Sequence, residues 1–503
     1  MLYNRKIIEE IKKWIIEIAV FICGMVVMIF EIVGSRVLGP FLGTSIFVWT
    51  SLIGVILGSL SIGYWIGGKI ADKKANLTNL AIIIFLAAIC ISLTALIKNS
   101  LLSSFQTSFW SIKQSSILAS IILFFPASML LGIVTPYAVK LKLNSLDISG
   151  STVGNLYAVS TVGSIVGTFL AGFFLVPKIG TTKLLFLLSI VLVVTSIILS
   201  LKQFIKIKIC ILILIIFCWG SNNIIQEMNR KNGFIDVDTE YNHVWIYNYK
   251  DVRTDQTAKV MSINNESSSA MFLENDDLVY EYTKYYHLVK HFNPTFKKAL
   301  AIGGAAYSYP KDYLKKYSNA EIDVVEIDPK LTELAKKYFN LKENPRLNIF
   351  HEDGRTYLNK IQKKYDVIFG DAFKSYYSLP YQLTTQEAVQ KKYDILNDNG
   401  IVILNIISSI EGVKGKFLRA EYTTYKSIFP QVYLFPVNDF IDGEKLQNII
   451  LVALKSENIP TFKSADQEID KYLQHLWTEE IDSDMPILTD DFSPVDHYIN
   501  QTI

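Results

Sequence analysis

The chain has 503 residues, half of them apolar, and a mean hydropathy of +0.28. Its net charge of +2 combines a basic first part with an acidic remainder: residues 1–220 carry 17 Lys and Arg against six acids, and the rest carries 32 against 41. This composition excludes a disordered chain and a disulfide-stapled secreted domain, and the acidic second part argues against nucleic acid as a partner.

The first part predicts a transmembrane domain of about seven helices over residues 1–220. A helix that crosses a bilayer needs about 20 mostly apolar residues. The candidate spans are roughly 14–35, 44–68, 78–97, 116–137, 153–176, 182–200 and 204–220. A multi-pass protein of the cell membrane, with the lipid bilayer as a partner, is therefore expected.

The orientation follows from the basic residues of the loops. Loops on the side of the N-terminus carry twelve Lys and Arg, and the opposite loops carry four, which predicts a cytoplasmic N-terminus. Seven spans then place the second part outside, whereas the chemistry inferred below favours the cytoplasm. The sequence leaves this conflict open.

Residues 221–275 predict a linker, at 221–233, and then a small cap of β-hairpins. Short β-type runs at 244–249, 259–263 and 270–273 are separated by clusters of Asn, Asp and Ser. A helix is predicted next, at 276–292.

Residues 276–503 continue as an alternation of strands and helices. Predicted strands are 298–302, 322–326, 347–350, 365–369 and 401–404, and predicted helices are 311–317, 331–339, 355–363 and 386–396. This order indicates a mostly parallel sheet with helices on both faces, a Rossmann-like α/β domain. Ligands of such sheets bind beyond the carboxyl ends of the strands.

The residues at these strand ends are glycines and carboxylates: Gly303, Gly304, Glu326, Asp328, Asp353, Gly354 and Asp371. Glycines let a ligand approach the backbone, and an acid about 20 residues later suits hydrogen bonds to ribose hydroxyls. Asp353 is placed to accept from an adenine amino group, and Asp371 to face the reacting centre. Because the loop lacks the third glycine of a dinucleotide fingerprint, an adenosyl-sulfonium ligand fits better than NAD.

No metal site is predicted. The four cysteines lie in apolar runs without a CxxC pair, and the six histidines are scattered.

The second part resembles the spermidine synthase family, specifically its membrane-fused bacterial members. The matching segments are Ala301-Ile-Gly-Gly-Ala-Ala306, Val324-Val-Glu-Ile-Asp-Pro329, Glu352-Asp-Gly-Arg355, Tyr365-Asp-Val-Ile-Phe-Gly-Asp-Ala-Phe373, Leu379-Pro-Tyr-Gln-Leu-Thr-Thr-Gln-Glu387 and Leu488-Thr-Asp-Asp-Phe-Ser-Pro494. The acidic motifs are shared with AdoMet methyltransferases.

The resemblance implies a membrane-anchored aminopropyltransferase. Its co-substrate would be decarboxylated AdoMet, held by the glycines and carboxylates of the strand ends, and its by-product methylthioadenosine. Asp371 would be the catalytic carboxylate, and the acceptor would be a small amine such as putrescine. Asn242, Tyr376 and Tyr381 are the candidate acceptor-binding residues. Family members are commonly dimers or tetramers, so a homo-oligomer is one expectation.

Three positions depart from the family pattern. The glycine loop lacks an acid, Lys374 replaces a second Asp three residues after Asp371, and Asn242 replaces a Gln. Two alternatives therefore stay open. One is an AdoMet-dependent methyltransferase, or another AdoMet-group transferase, that acts on a membrane-delivered substrate. The other is a transporter or sensor whose nucleoside domain only binds.

Overall fold

The computed structural model describes residues 2–106, 110–143, 149–201, 203–372 and 379–499. The chain divides into two compact units. One comprises Met1–Asn232 with Val237–Glu240, and the other comprises Gly233–Asp236 with Tyr241–Ile503.

The first unit is helical. Its helices are α1 (Leu2–Leu42), α2 (Ile46–Lys74), α3 (Leu77–Gln106), α4 (Ile112–Lys142), α5 (Ser149–Leu170), α6 (Val176–Lys178), α7 (Thr181–Leu199) and α8 (Ile205–Lys231), with a π-helical turn, Ala171–Leu175, between α5 and α6. Over the described ranges, seven helical segments are long and apolar enough to cross a membrane. The expected linker at 221–233 is wrong for most of its length, because α8 continues to Lys231.

Glycines bring two pairs of these helices into close contact. A Cβ on Gly63 would lie 2.2 Å from the carbonyl oxygen of Met129, which joins α2 to α4. A Cβ on Gly163 would lie 2.2 Å from the carbonyl oxygen of Phe21, which joins α5 to α1. Small residues let backbones approach where lipid offers no hydrophobic driving force. These glycines therefore serve packing within the chain.

A four-stranded sheet follows, with the order β1 (Ile235–Asp238), β2 (His243–Lys250), β3 (Thr257–Ile263) and β4 (Glu266–Phe272). Strands β2 to β4 pair antiparallel, as the expected hairpins require. The helix expected at 276–292 begins later and is divided into α9 (Glu281–Lys284), a 3₁₀ turn (Tyr285–Leu288) and α10 (Val289–Phe292).

The remaining chain forms a Rossmann-like α/β domain, as predicted. Its elements are β5 (Lys298–Ile302), α11 (Ser308–Lys316), β6 (Glu321–Val325), α12 (Pro329–Tyr338), β7 (Leu347–Phe350), α13 (Gly354–Lys360), β8 (Tyr365–Gly370), α14 (Gln386–Asp394), β9 (Leu396–Ser408), α15 (Lys416–Lys426), β10 (Gln431–Pro436), β11 (Gln447–Leu454), α16 (Gln467–Leu473) and α17 (Val495–Ile499).

The sheet of this domain has the order β10-β11-β9-β8-β5-β6-β7. Strands β5 to β9 are parallel, and β11 lies antiparallel to β9. Alternate residues of β5 reach opposite faces: Ala299 and Ala301 join one hydrophobic core, and Leu300 and Ile302 join another. Burial on both faces explains the nearly continuous apolar runs of these strands. The parallel pairing of β5 with β6 and β8 brings the ends of these three strands to one edge of the sheet.

Candidate functional site

The glycine loop lies between the ends of two neighbouring strands. Gly303 adopts a φ of +101°, and its amide donates to the carbonyl oxygen of Val325 in β6 over 2.9 Å. On its other side the Asp371 amide donates to the carbonyl oxygen of Ile302 over 3.0 Å. The loop is therefore fixed between the two acidic strand ends.

Glu326 holds the same loop through its carboxylate, which is buried. Oε2 accepts from the amides of Gly304 and Ala305 at 2.9 and 3.0 Å, and Oε1 accepts from the Asp328 amide at 3.0 Å. Burial raises the pKa of Glu326, and these three backbone hydrogen bonds oppose that rise. Glu326, the residue predicted to bind the ribose, therefore has its carboxylate held in place beside the glycine loop.

Asp328, two residues after Glu326, is fully buried. Its Oδ1 accepts from the Lys330 amide at 3.0 Å and caps α12, and its Oδ2 accepts from Asn242 Nδ2 at 3.0 Å. Asn242, predicted as an acceptor-binding residue, is therefore placed beside Asp328.

Asp353 and Gly354 begin α13. Asp353 Oδ1 accepts from the Thr356 amide at 2.9 Å, which is a helix cap, and a Cβ on Gly354 would lie 2.8 Å from Ile302 Cγ2. Gly354 therefore permits α13 to start against β5. The other carboxylate oxygen, Asp353 Oδ2, does not take part in the cap. Gln382 Nε2 lies 3.5 Å from it.

Asp371 is held by two side chains that the sequence did not single out. Tyr282 donates its hydroxyl to Oδ2 over 3.0 Å, and Asn405 donates Nδ2 to Oδ1 over 3.1 Å. Burial raises the pKa of Asp371 to about 6, although Asn405, Tyr282 and the nearby Tyr286 hydroxyl act in the opposite direction. A carboxylate with this pKa is a better proton acceptor than an exposed one.

Of the two tyrosines predicted for acceptor binding, the structure describes Tyr381. Tyr376 lies outside the described residues, as does Lys374. Tyr381 begins a 3₁₀ turn, Tyr381–Leu383, and its side chain is largely exposed.

A cavity of about 60 Å³, measured as the space open to the centre of a water molecule, lies next to Asp371 and was not predicted. Its lining includes Ala372, Leu383, Asn405 and Phe417, together with Lys392 and Glu421, two buried charged residues. Because Asn405 also bonds Asp371, the cavity is one hydrogen bond away from the candidate catalytic group.

Arg355 links three of the family-like segments. Its guanidinium forms a two-pronged pair with the Asp490 carboxylate, at 3.1 and 2.7 Å, and donates to Thr385 Oγ1 and to the carbonyl oxygen of Gln382. These bonds fix Gln382 and Thr385, just before α14. Among the described residues, no three His, Cys, Asp or Glu side chains are grouped so that they could hold a metal ion.

Glycines and carboxylates lie at adjacent carboxyl ends of an open, mostly parallel sheet, which is where such sheets bind their ligands. Known proteins show which class of protein carries this arrangement. Residues 281–442 match the spermine/spermidine synthase domain. The polyamine aminopropyltransferase of Vibrio vulnificus is 31% identical over 220 residues, which cover 40% of this chain and 70% of that protein. The polyamine aminopropyltransferase of Alkaliphilus metalliredigens is 28% identical over 33% of this chain and 59% of that protein.

The chain therefore belongs to the spermine/spermidine synthase family, and it is a transferase. The predicted resemblance of the second part to this family and the predicted enzyme class are confirmed. Among solved structures, a probable spermidine synthase from Corynebacterium glutamicum is 21% identical with a TM-score of 0.40, over 47% of this chain and 85% of that one.

Proposed function

We propose that this protein is a membrane-anchored aminopropyltransferase that uses decarboxylated AdoMet and a small amine. The observation that carries the proposal is the Asp371 carboxylate, held by Tyr282 and Asn405 beside the glycine loop, with a pKa of about 6. Membership of the spermine/spermidine synthase family supports the same donor chemistry.

The donor would lie across the strand ends. Gly303 and Gly304 would let its adenosyl part approach the backbone, and Glu326 would accept from the ribose hydroxyls. Asp353 and Gly354 would bound the adenine, and Asp328 would support the site from below through its cap of α12. All of these positions lie at the carboxyl edge of the sheet, where such ligands bind.

In the reaction, the nitrogen of the amine attacks the methylene carbon beside the sulfonium. The carbon–sulfur bond breaks, its electron pair goes to sulfur, and neutral methylthioadenosine leaves. Asp371 takes the proton that the nitrogen loses, and it attracts and orients the amine beforehand. Because the leaving group is already good, positioning supplies much of the acceleration.

The acceptor would enter beside Asp371. Asn242, Tyr376 and Tyr381 are predicted to contact it, and the cavity next to Asn405 is a further candidate for its binding. The proposal places the second unit in the cytoplasm, where nucleoside co-substrates are made, with the N-terminus on the same side and the bilayer around the first unit.

The test is product analysis with the purified full-length protein in detergent. Incubation with decarboxylated AdoMet and an amine is expected to release methylthioadenosine, in an amount equal to the aminopropylated amine. Incubation with AdoMet is expected to release no S-adenosylhomocysteine. The reverse pattern would replace this proposal with methyl transfer, and binding without turnover would favour a transporter or sensor.

A further inference from the structure

Lys392 and Glu421 are the two charged residues that line a mostly apolar cavity. They are 3% and 4% exposed, and both line the cavity with Ile302, Leu404, Ile406 and Phe417. Burial lowers the pKa of Lys392 and raises the pKa of Glu421, and each group opposes the shift of the other. No step of the proposed reaction uses either residue.

The two groups differ in how well they are satisfied. Lys392 Nζ donates to the carbonyl oxygen of Leu383 over 3.1 Å and to the Tyr425 hydroxyl over 2.6 Å. Glu421 Oε2 is buried and has no hydrogen-bond partner among the described residues. A buried carboxylate oxygen without a donor costs free energy, so the cavity is built to receive one donor at this position.

The charge of the pair restricts what that donor is. With one proton between them, Lys392 and Glu421 together are neutral. This holds whether the proton lies on the lysine, as ammonium and carboxylate, or on the glutamate, as amine and carboxylic acid. A second ammonium group would add an uncompensated positive charge to an apolar cavity, which is expensive. An uncharged donor, such as a hydroxyl, satisfies Glu421 without that cost.

We propose that this cavity is the acceptor subsite and that Glu421 selects an aliphatic amine whose far end carries an uncharged hydrogen-bond donor, as in an amino alcohol. The attacking nitrogen lies at Asp371, and Asn405 joins the two ends because it lines the cavity and donates to Asp371. That the bound amine is the acceptor of the aminopropyl group rests on the proposed function. That the cavity binds such an amine rests on the cavity itself.

The test compares acceptors that differ in one terminal group. The full-length protein is supplied with decarboxylated AdoMet and with amino alcohols, diamines and alkylamines of matched length, from three to six carbons. Methylthioadenosine release gives kcat/KM for each on one scale. The best amino alcohol is expected to exceed the alkylamine of equal length at least about tenfold, and to exceed the diamine. Equal values for the amino alcohol and the alkylamine, or a preference for the diamine, would overturn the inference and leave aminopropyl transfer intact.

Variants give the inference a signature that misfolding cannot imitate. Lys392→Met removes the positive charge near Glu421, so Glu421 can pair with an ammonium group of the ligand, and the preference is expected to reverse towards the diamine. Lys392→Met with Glu421→Leu makes the cavity apolar, and the discrimination between amino alcohol and alkylamine is expected to disappear. Lys455→Met is the control. Lys455, like Lys392, makes two hydrogen bonds, in its case to the backbone carbonyls of Tyr393 and Leu396, but it does not line the cavity. Its loss is expected to leave the selectivity unchanged.

Binding separates the two hypotheses. Calorimetry with 4-aminobutan-1-ol needs no turnover. If no amine releases methylthioadenosine but the amino alcohol binds, and binding is lost in the double variant, the subsite stands and the proposed function falls. If methylthioadenosine is released but the double variant binds the amino alcohol like the wild type, the subsite falls and the function stands.

Discussion

A Cβ atom on Gly303 would lie 2.4 Å from the main-chain carbonyl oxygen of Asp371. The glycine loop and the candidate catalytic strand end therefore touch through their backbones. Gly303 also has a φ of +101°, which residues with a side chain rarely adopt. Two independent constraints thus require glycine at this position, and both set the distance between the donor loop and Asp371.

Gly303→Ala is expected to separate the loop from Asp371 and to weaken donor binding at least tenfold. The strained φ and the collision together are expected to lower the free energy of unfolding by about 2–3 kcal/mol. Calorimetry with methylthioadenosine and thermal unfolding of the purified protein measure the two effects.

Ala305→Gly is the matched control in the same loop. Ala305 has a φ of +45°, so a glycine there relieves strain instead of creating it. This variant is expected to bind methylthioadenosine normally and to unfold at the same or a slightly higher temperature. Weak binding in both variants would mean that loop composition, rather than the contact with Asp371, controls the donor site.

Asp371→Asn removes the group assigned to the proton transfer, and kcat is expected to fall at least about a hundredfold while methylthioadenosine still binds. Its effect on stability depends on pH. The pKa of Asp371 rises from near 3.8 to about 6 on folding, so wild-type stability falls as the pH increases between these values.

The Asn variant has no such loss. It is therefore expected to gain stability relative to the wild type by about 2 kcal/mol between pH 4 and pH 7. Thermal unfolding at several pH values measures the difference. If the stability difference between the variant and the wild type does not change with pH, folding does not raise the pKa of Asp371.

The acidic strand ends were predictable because each follows its own strand directly. The strands at 298–302 and 347–350 have the predicted bounds, and the parallel order then places their ends together. The partners of Asp371 were not predictable, because Tyr282 is 89 residues away and Asn405 is 34 residues away in the sequence. Only the fold brings them together.

The errors have local causes. Ser221, Asn222 and Asn223 indicate a loop by composition, yet neither Pro nor Gly interrupts the helix from there to Gly233. Gly233, with a φ of +81°, follows the end of α8, a position where glycine commonly terminates helices. The Lys392–Glu421 pair carries no sequence signal, since a helical lysine and a helical glutamate usually lie on the surface.

Arg355→Lys tests the link between the Asp-Gly-Arg segment and Asp490. Lysine cannot reproduce the two-pronged pair or the bonds to Gln382 and Thr385. Because the Asp490 side chain is 46% exposed, the pair itself contributes only about 1 kcal/mol. We expect a lower unfolding temperature, by about 2–4 °C, and faster hydrogen exchange over residues 379–390.

Arg346→Lys is the control for Arg355. Arg346 also donates to three backbone carbonyls, of Tyr317, Ala320 and Leu314, but lies elsewhere in the domain. It is expected to lower the unfolding temperature without changing exchange at 379–390. Equal exchange at 379–390 in all three proteins would contradict the assigned role of Arg355.

The side of the membrane on which the second unit lies depends on α8. α8 is one of the seven helical segments that are long and apolar enough to cross a membrane, and seven crossings from a cytoplasmic N-terminus would place the second unit outside. The proposed donor chemistry requires a cytoplasmic second unit instead, so we expect α8 not to complete a crossing. Alkaline phosphatase fused after Ile225 is expected to be inactive, and a fluorescent protein fused at the same place is expected to fluoresce. Phosphatase activity would instead support seven crossings and an external second unit.

Tyr282→Phe tests how the protein sets the pKa of Asp371. The tyrosine hydroxyl bonds the ionised carboxylate, so its loss makes the anion less favourable and raises the pKa of Asp371 further above 6. The acidic limb of the pH profile of kcat/KM is therefore expected to move to higher pH, by roughly half to one unit. Activity should fall more at pH 6 than at pH 8, where the carboxylate is ionised in both proteins.

Tyr285→Phe is the control from the same stretch of chain. The Tyr285 hydroxyl bonds His475 and Val437 instead of Asp371, so its loss should leave the acidic limb in place. A limb that stays fixed in Tyr282→Phe would mean that a group other than Asp371 accepts the proton.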